Sequence, residues 1–163
     1  MVIIGVDPGA TGAIAIYDTE AKTLDILDMP TVKIRRGQRM VQEVSAPFLV
    51  IDLLTTLGEG RTDVQAWIEK VHAMPGQGVS SMFAFGRCLG IIEGVLAGMR
   101  IPMTFVSPAA WTRLMGVTGG KGGSRKRASE LFPQYTHLFA RAKDDGRSDA
   151  ALIACFGSME DRR

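Results

Sequence analysis

"VIIGVDPGATGAIAIYD" (residues 2–18) is the stretch on which the reading of this chain turns. An apolar run, a carboxylate on a glycine-rich turn and a second apolar run describe two strands joined by a tight connection. Side chains alternate along a strand, so Ile3, Gly5 and Asp7 share one face and Val2, Ile4 and Val6 the other. Asp7 therefore closes a strand that is apolar on both sides, where an unpaired charge is costly. Asp-Pro-Gly is also ordinary turn chemistry, and a glycine-rich connection can cradle a nucleotide phosphate. Taken alone, the stretch leaves turn residue, phosphate cradle and metal ligand all open.

Working outward, residues 23–29 read as a third strand, and the spacing suits an antiparallel meander. Residues 31–44 are polar and basic and read as a loop or an extended hairpin. A helix follows, with Ser45 as its cap, Pro47 in its first turn and Gly58 at its end. Phe48, Ile51, Leu54 and Leu57 are expected to form its apolar face. "VQAWIEKV" (64–71) reads as a central strand, 81–99 as a long helix and "IPMTFV" (101–106) as a further strand. Then come a short helix from Ser107, a glycine-rich loop, a helix capped by Ser124 and stopped by Pro133, and a last helix over about 146–158. The order predicts an α/β fold with a mixed five-stranded sheet, three antiparallel strands and then two more, flanked by helices.

At 163 residues, with no internal repeat or linker, the chain is expected to form one domain. Apolar runs such as "FLVIDLL" are too short to span a bilayer, and no basic-then-apolar leader opens the chain. Cys88 and Cys155 form neither a disulfide framework nor a ligand-spaced cluster, so a cytoplasmic location with no membrane partner is expected. The net charge of +2 hides two acid-free basic blocks. One holds Lys33, Arg35, Arg36 and Arg39; the other holds Arg113, Lys121, Arg125, Lys126 and Arg127. Such blocks are either solvated loops or tracks for a phosphate backbone.

Asp7 has company. Glu69 ends an apolar strand in the same way, and Asp145 and Asp149 stand four apart, on one face of the last helix. Each has an ordinary role available: turn residue, surface ion pair, first-turn helix acid. The joint pattern resists those readings, because all four adjoin buried apolar sequence. Clustered carboxylates repel one another unless a cation neutralises them, and an all-oxygen set suits Mg²⁺ or Mn²⁺ rather than zinc. Two such ions in a four-carboxylate cluster are the arrangement used for phosphodiester hydrolysis.

Four segments, "IGVDPGATGAIA", "WIEKVHAMPGQGVSSMFAFGRCLGIIEG", "VSPAAWTRLMG" and "DDGRSDAALIA", occur in order over nearly the whole chain. Together they resemble the RuvC-type Holliday junction resolvases of the ribonuclease H-like superfamily, in their phage-like branch. The resemblance implies a structure-specific DNA endonuclease that makes paired symmetric nicks in four-way junctions, as a homodimer, with Mg²⁺ or Mn²⁺. It implies a cell context as well: the nucleoid of a bacterial or phage-infected cell. Asp7, Glu69 and Asp149 match the family's first, second and last acids. Asp145 matches the third, with Asp144 as the alternative. Lys121 of "KGGSR" falls at a lysine that relatives place near the scissile phosphate, although the glutamate that follows it in them is absent here. The expected DNA contacts are Arg35, Arg36, Arg39, Lys121, Arg125 and Lys126. His72 lies where some relatives carry an aromatic junction contact, but a lone histidine is more often a plain surface residue, and it is left out of the site.

Gly86, Gly90, Gly94 and Gly98 stand four apart in the long helix. Each costs about 1 kcal/mol against alanine, so something must offset roughly 3–4 kcal/mol. Tight packing on the chain's own sheet is one compensation and a two-fold interface between identical helices is the other; the resemblance favours the second. Three rival functions remain. Sugar kinases and actin-like ATPases open on a similar hairpin but need a second such domain and leave the C-terminal acids unexplained. A non-catalytic nucleic-acid binder of this fold is expected to lack an acid. A broader nuclease for flaps and forks shares all of the site chemistry.

Overall fold

The computed structural model describes residues 1–58, 60–72, 76 and 78–161; the 73–75 and 77 positions of the second motif lie outside the described residues. Seven strands follow in chain order: β1 (Val2–Asp7), β2 (Ala13–Asp18), β3 (Thr23–Asp28), β4 (Thr31–Arg36), β5 (Arg39–Val44), β6 (Val64–Glu69) and β7 (Met103–Val106). Five of them form one sheet in the order β3-β2-β1-β6-β7. The first three are antiparallel, while β6 and β7 run parallel to β1. This is the expected mixed five-stranded sheet. Segment 31–44 takes the hairpin alternative: β4 and β5 pair only with each other, through a two-residue turn in which Gly37 has φ +61°.

Helices cover both faces. α1 (Ala46–Leu57) and α2 (Val79–Gly98) lie on one side; α3 (Pro108–Met115), α4 (Gly123–Leu131) and α5 (Asp145–Glu160) lie on the other. The period of two in β1 sorts its residues as expected. Val2, Ile4 and Val6 join Leu49, Leu53, Ile92 and Leu96, whereas Ile3 joins Leu152 and Ile153. Asp7 is on the Ile3 face, so it is delivered to α5. That helix crosses β1 at Gly5, where a Cβ would strike the backbone of Ala150 and Ala154. Only glycine lets the two backbones approach so closely. Further along α5, Gly157 makes the same kind of room for the Trp67 ring of β6.

Three local expectations are corrected. Phe48, Ile51 and Leu54 of α1 face outward at 51%, 55% and 47% exposure, while Leu49 and Leu53 are buried. The helix is apolar nearly all round, so periodicity could not choose the inner face. Ser124 does not cap α4. Gly122, at φ +85°, turns the chain into the helix two residues earlier, and Ser124 sits in the first turn. Short apolar runs also understated α2: it spans 20 residues and is long and apolar enough, by length and composition, to cross a membrane. Its Cys88, Ile92, Val95 and Leu96 are buried and join the sheet core. Elsewhere the signals hold. Ser45 accepts from the Phe48 amide, Ser107 caps α3 by accepting from the Ala110 amide, and Pro133 ends α4 and opens a 3₁₀ turn.

Candidate functional site

β1 and β6 run parallel with Val6 opposite Ile68, so one step further along that register Asp7 and Glu69 come side by side. Both sit at the C-terminal ends of their strands and both point to the α5 face. The first turn of α5 then passes over Asp7. A Cβ on Gly146 would lie 2.8 Å from Asp7 Oδ2 and 3.0 Å from the Thr11 carbonyl oxygen. Glycine at that position is what lets the helix bring Asp149, one turn on, to the two strand-end acids.

The electrostatics record this crowding. Burial, then repulsion by Asp149 and Glu69, pushes the Asp7 carboxyl well above the usual range. Burial, with repulsion by Glu69 and Asp145, pushes Asp149 up to about 6, against a lowering hydrogen bond from Ser124. Burial raises Glu69, and a hydrogen bond from Trp111 Nε1 to Oε1, 2.9 Å, partly offsets it. Asp149 Oδ1 is buried with no hydrogen-bond partner. A buried carboxylate oxygen left bare costs about 1–3 kcal/mol or more, so its persistence wants a cation.

The DDGRSD stretch separates its two adjacent acids. Asp144 is buried and fully engaged: it accepts from the Arg141 backbone N–H at 2.8 Å and from the Arg141 guanidinium at 2.8 Å, with Arg147 3.7 Å away. Those bonds hold its carboxyl below the usual range. Arg147 also binds Asp28 at the end of β3, clamping the start of α5 to the sheet. Asp145, by contrast, is close enough to Asp149 to raise it, and it accepts from Arg125 Nε at 2.7 Å. An open groove runs along this region, lined by Asp7, Asp28, Asp144, Asp145, Arg147 and Asp149 among others.

Among the described residues, no three His, Cys, Asp or Glu side chains converge closely enough to hold one ion as they stand. Like charges keep the acids apart, and Trp111 and Arg125 each hold one carboxylate. The donor set nonetheless fits a hard divalent cation. All ligand atoms are oxygen, three of the acids line one groove with Glu69 beside Asp7, and one buried oxygen is bare. Asp7, Glu69, Asp145 and Asp149 are the residues placed to supply it.

The expected DNA contacts are spread more widely. Lys121 is exposed in the loop between α3 and α4, where Gly119, Gly120 and Gly122 have positive φ, and it is not among the groove-lining side chains. Lys126 is exposed on α4, and Arg39 is exposed on the β4–β5 hairpin. Arg35 donates to the Gly37 carbonyl, and Arg36 is paired with Glu43 at 2.6 Å, which also binds Arg87. His72 is exposed. Sequence reasoning passed over Trp111, Ser124, Gly146 and the Arg141–Asp144–Arg147–Asp28 network. The tryptophan of the short helical stretch "PAAWTRLM" was the one available signal.

No protein-family model matches the chain, and no curated protein does. Solved structures do. The Thermus thermophilus RuvC in complex with a Holliday junction substrate superimposes with a TM-score of 0.62 at 14% identity, over 99% of this chain and 96% of that one. A second Thermus thermophilus RuvC structure gives a TM-score of 0.56 at 16% identity with the same coverage. The chain has the RuvC, ribonuclease H-like fold.

Proposed function

We propose that this protein is a structure-specific DNA endonuclease that resolves four-way junctions by paired symmetric nicks. The observation that carries the reading is the gathering of Asp7, Glu69 and Asp149, with Asp145 beside them, at the strand ends of a RuvC-type sheet, with a bare buried oxygen on Asp149. Mg²⁺ or Mn²⁺ held by these four acids would supply a hydroxide nucleophile and charge stabilisation for phosphodiester hydrolysis. The chain's own part is positional. Gly146 sets Asp7 against α5, Trp111 fixes the Glu69 carboxylate, and Ser124 orients Asp149. Lys121, Arg125 and Lys126 on one side and Arg35, Arg36 and Arg39 on the hairpin are offered to the DNA backbone.

Two nicks in a symmetric junction call for two sites, and the α2 surface supports a homodimer. No atom lies within 4 Å of where a Cβ would be at Gly86, Gly90, Gly94 or Gly98. The stripe is therefore open, not packed on its own sheet, and its groove continues along Val50, Ile91, Val95 and Met99. A second copy of α2 fits such a surface. In this reading the protein serves DNA recombination or repair.

The test incubates the protein and Mg²⁺ with labelled four-way junctions, flaps, forks and linear duplex. Paired nicks confined to the junction are expected; equal cutting of flaps and forks would move the assignment to a broader branched-DNA nuclease. Asp7→Asn is expected to bind junctions and lose more than about 100-fold in cutting, since even partners behind a metal ligand are worth 10–100-fold. Cutting at the wild-type rate by that variant would refute the site.

A further inference from the structure

Of the four site acids, Asp145 is the one with an ion pair among the described residues. Its partner Arg125 comes from the first turn of α4, directly after the glycine-rich loop, and its guanidinium is tucked in at 24% exposure. The backbone makes room for that placement. A Cβ on Gly122 would lie 2.7 Å from Arg125 Nη2, the far end of a side chain that can shift, and the φ of +85° is what favours glycine there. The neighbouring Ser124 bonds Asp149, whose Oδ1 is bare. The start of α4 thus delivers one cation and one hydroxyl to the two α5 acids.

We infer that Arg125 is a built-in counter-cation of the acid groove, which a divalent ion displaces from Asp145, and that the guanidinium so released engages the DNA backbone. The inference rests on the nuclease reading above. A guanidinium and a divalent ion cannot share Asp145 without repelling each other, and the ion has twice the charge at shorter range. The positive-φ glycines at 119, 120 and 122 give the start of α4 a conformationally permissive hinge. A freed arginine is suited to bidentate phosphate contact. Metal loading and DNA engagement are thereby coupled through one side chain, which neutralises Asp145 until the ion arrives.

The experiment measures Mn²⁺ affinity of the full chain without DNA, by calorimetry, for wild type, Arg125→Ala, Arg125→Gln, Arg125→Lys and Lys33→Ala. The Ala and Gln variants are expected to bind Mn²⁺ about threefold to fivefold more tightly, the worth of a partly exposed ion pair. Arg125→Lys and the charge-matched control Lys33→Ala should stay near wild type. Should Arg125→Ala not fold, Arg125→Gln carries the comparison. A second arm uses Asp145→Asn without metal: junction binding should tighten with a salt dependence steeper by about one charge, and adding Arg125→Ala should remove that gain. Measurable Mn²⁺ binding that is unchanged or weaker in the Ala and Gln variants overturns the inference and leaves the nuclease reading standing. Folded wild type with no Mn²⁺ affinity overturns both.

Discussion

The two faces of the sheet use glycine in opposite ways. On the α5 face the chain closes over every glycine that matters: Gly5 lies under Ala150 and Ala154, Gly146 against Asp7, and Gly157 under the Trp67 ring. On the other side, α2 presents four glycines with open space where their side chains would be. The closed face is where backbones approach closely enough to bring acids from two strands and one helix together. The open face has paid the same conformational cost without recovering it inside the monomer. One set of glycines lets backbones close around the candidate site; the other is left uncovered by the chain's own fold.

Gly5 is where this contrast is most exposed to disproof. A methyl group there meets backbone, which cannot rotate away, so Gly5→Ala should destabilise the fold by about 3 kcal/mol or more, at or beyond the upper end for overpacking. Chemical denaturation measures it, and a loss under about 1 kcal/mol, the low end of that overpacking range, would show that α5 is free to lift from β1. Next in size is a pH effect confined to the closed face. Asp7 and Asp149 are raised in the folded protein, so between about pH 4 and 6 these two groups bind more protons in the folded state than in the unfolded one. Without metal, their contribution to stability should therefore be greatest at the low end of that window and fall as pH rises through it, with Asp149 alone contributing on the order of 2 kcal/mol. Melting temperature against pH reports this, and the slope should flatten in Asp7→Asn/Asp149→Asn. A slope unchanged in that double variant would mean that the two carboxylates are already compensated.

Smaller still is Trp111→Phe, which keeps the buried ring but removes the donor to Glu69. Mn²⁺ affinity should drop about tenfold, at the low end for partners that orient a ligand. An unchanged affinity would reduce Trp111 to core packing. The smallest effect belongs to the open face. Gly94→Ala should stabilise the monomer fold by up to about 1 kcal/mol, because nothing obstructs the added methyl. The same change should weaken self-association in sedimentation. A dimer indifferent to it would leave the open stripe without its proposed use.

Several parts of the site are legible in the sequence alone. Period-two alternation puts Asp7 and Glu69 at the ends of strands, and the spacing of four puts Asp145 and Asp149 on one helical face. Other parts are not. In "KDDGRSD" two adjacent acids look alike, and only the positions of Arg141 and Arg147 divide them into a helix clamp and a groove acid. Arg125 reads as one more phosphate contact until α4 is seen to lay it on Asp145. Ser124 reads as a cap until the left-handed Gly122 starts the helix early.

Local chemistry is written along the chain, and three features follow from it directly: the strand alternation, the helix stops at Gly58 and Pro133, and the four acids with their apolar surroundings. Which side of α1 turns inward, whether the glycines of α2 are covered or open, and which carboxylates meet are set by tertiary contacts instead. Those contacts join residues far apart in the chain, such as Gly5 with Ala154 and Asp7 with Gly146. No local propensity encodes them; they follow from how closely one backbone can lie on another.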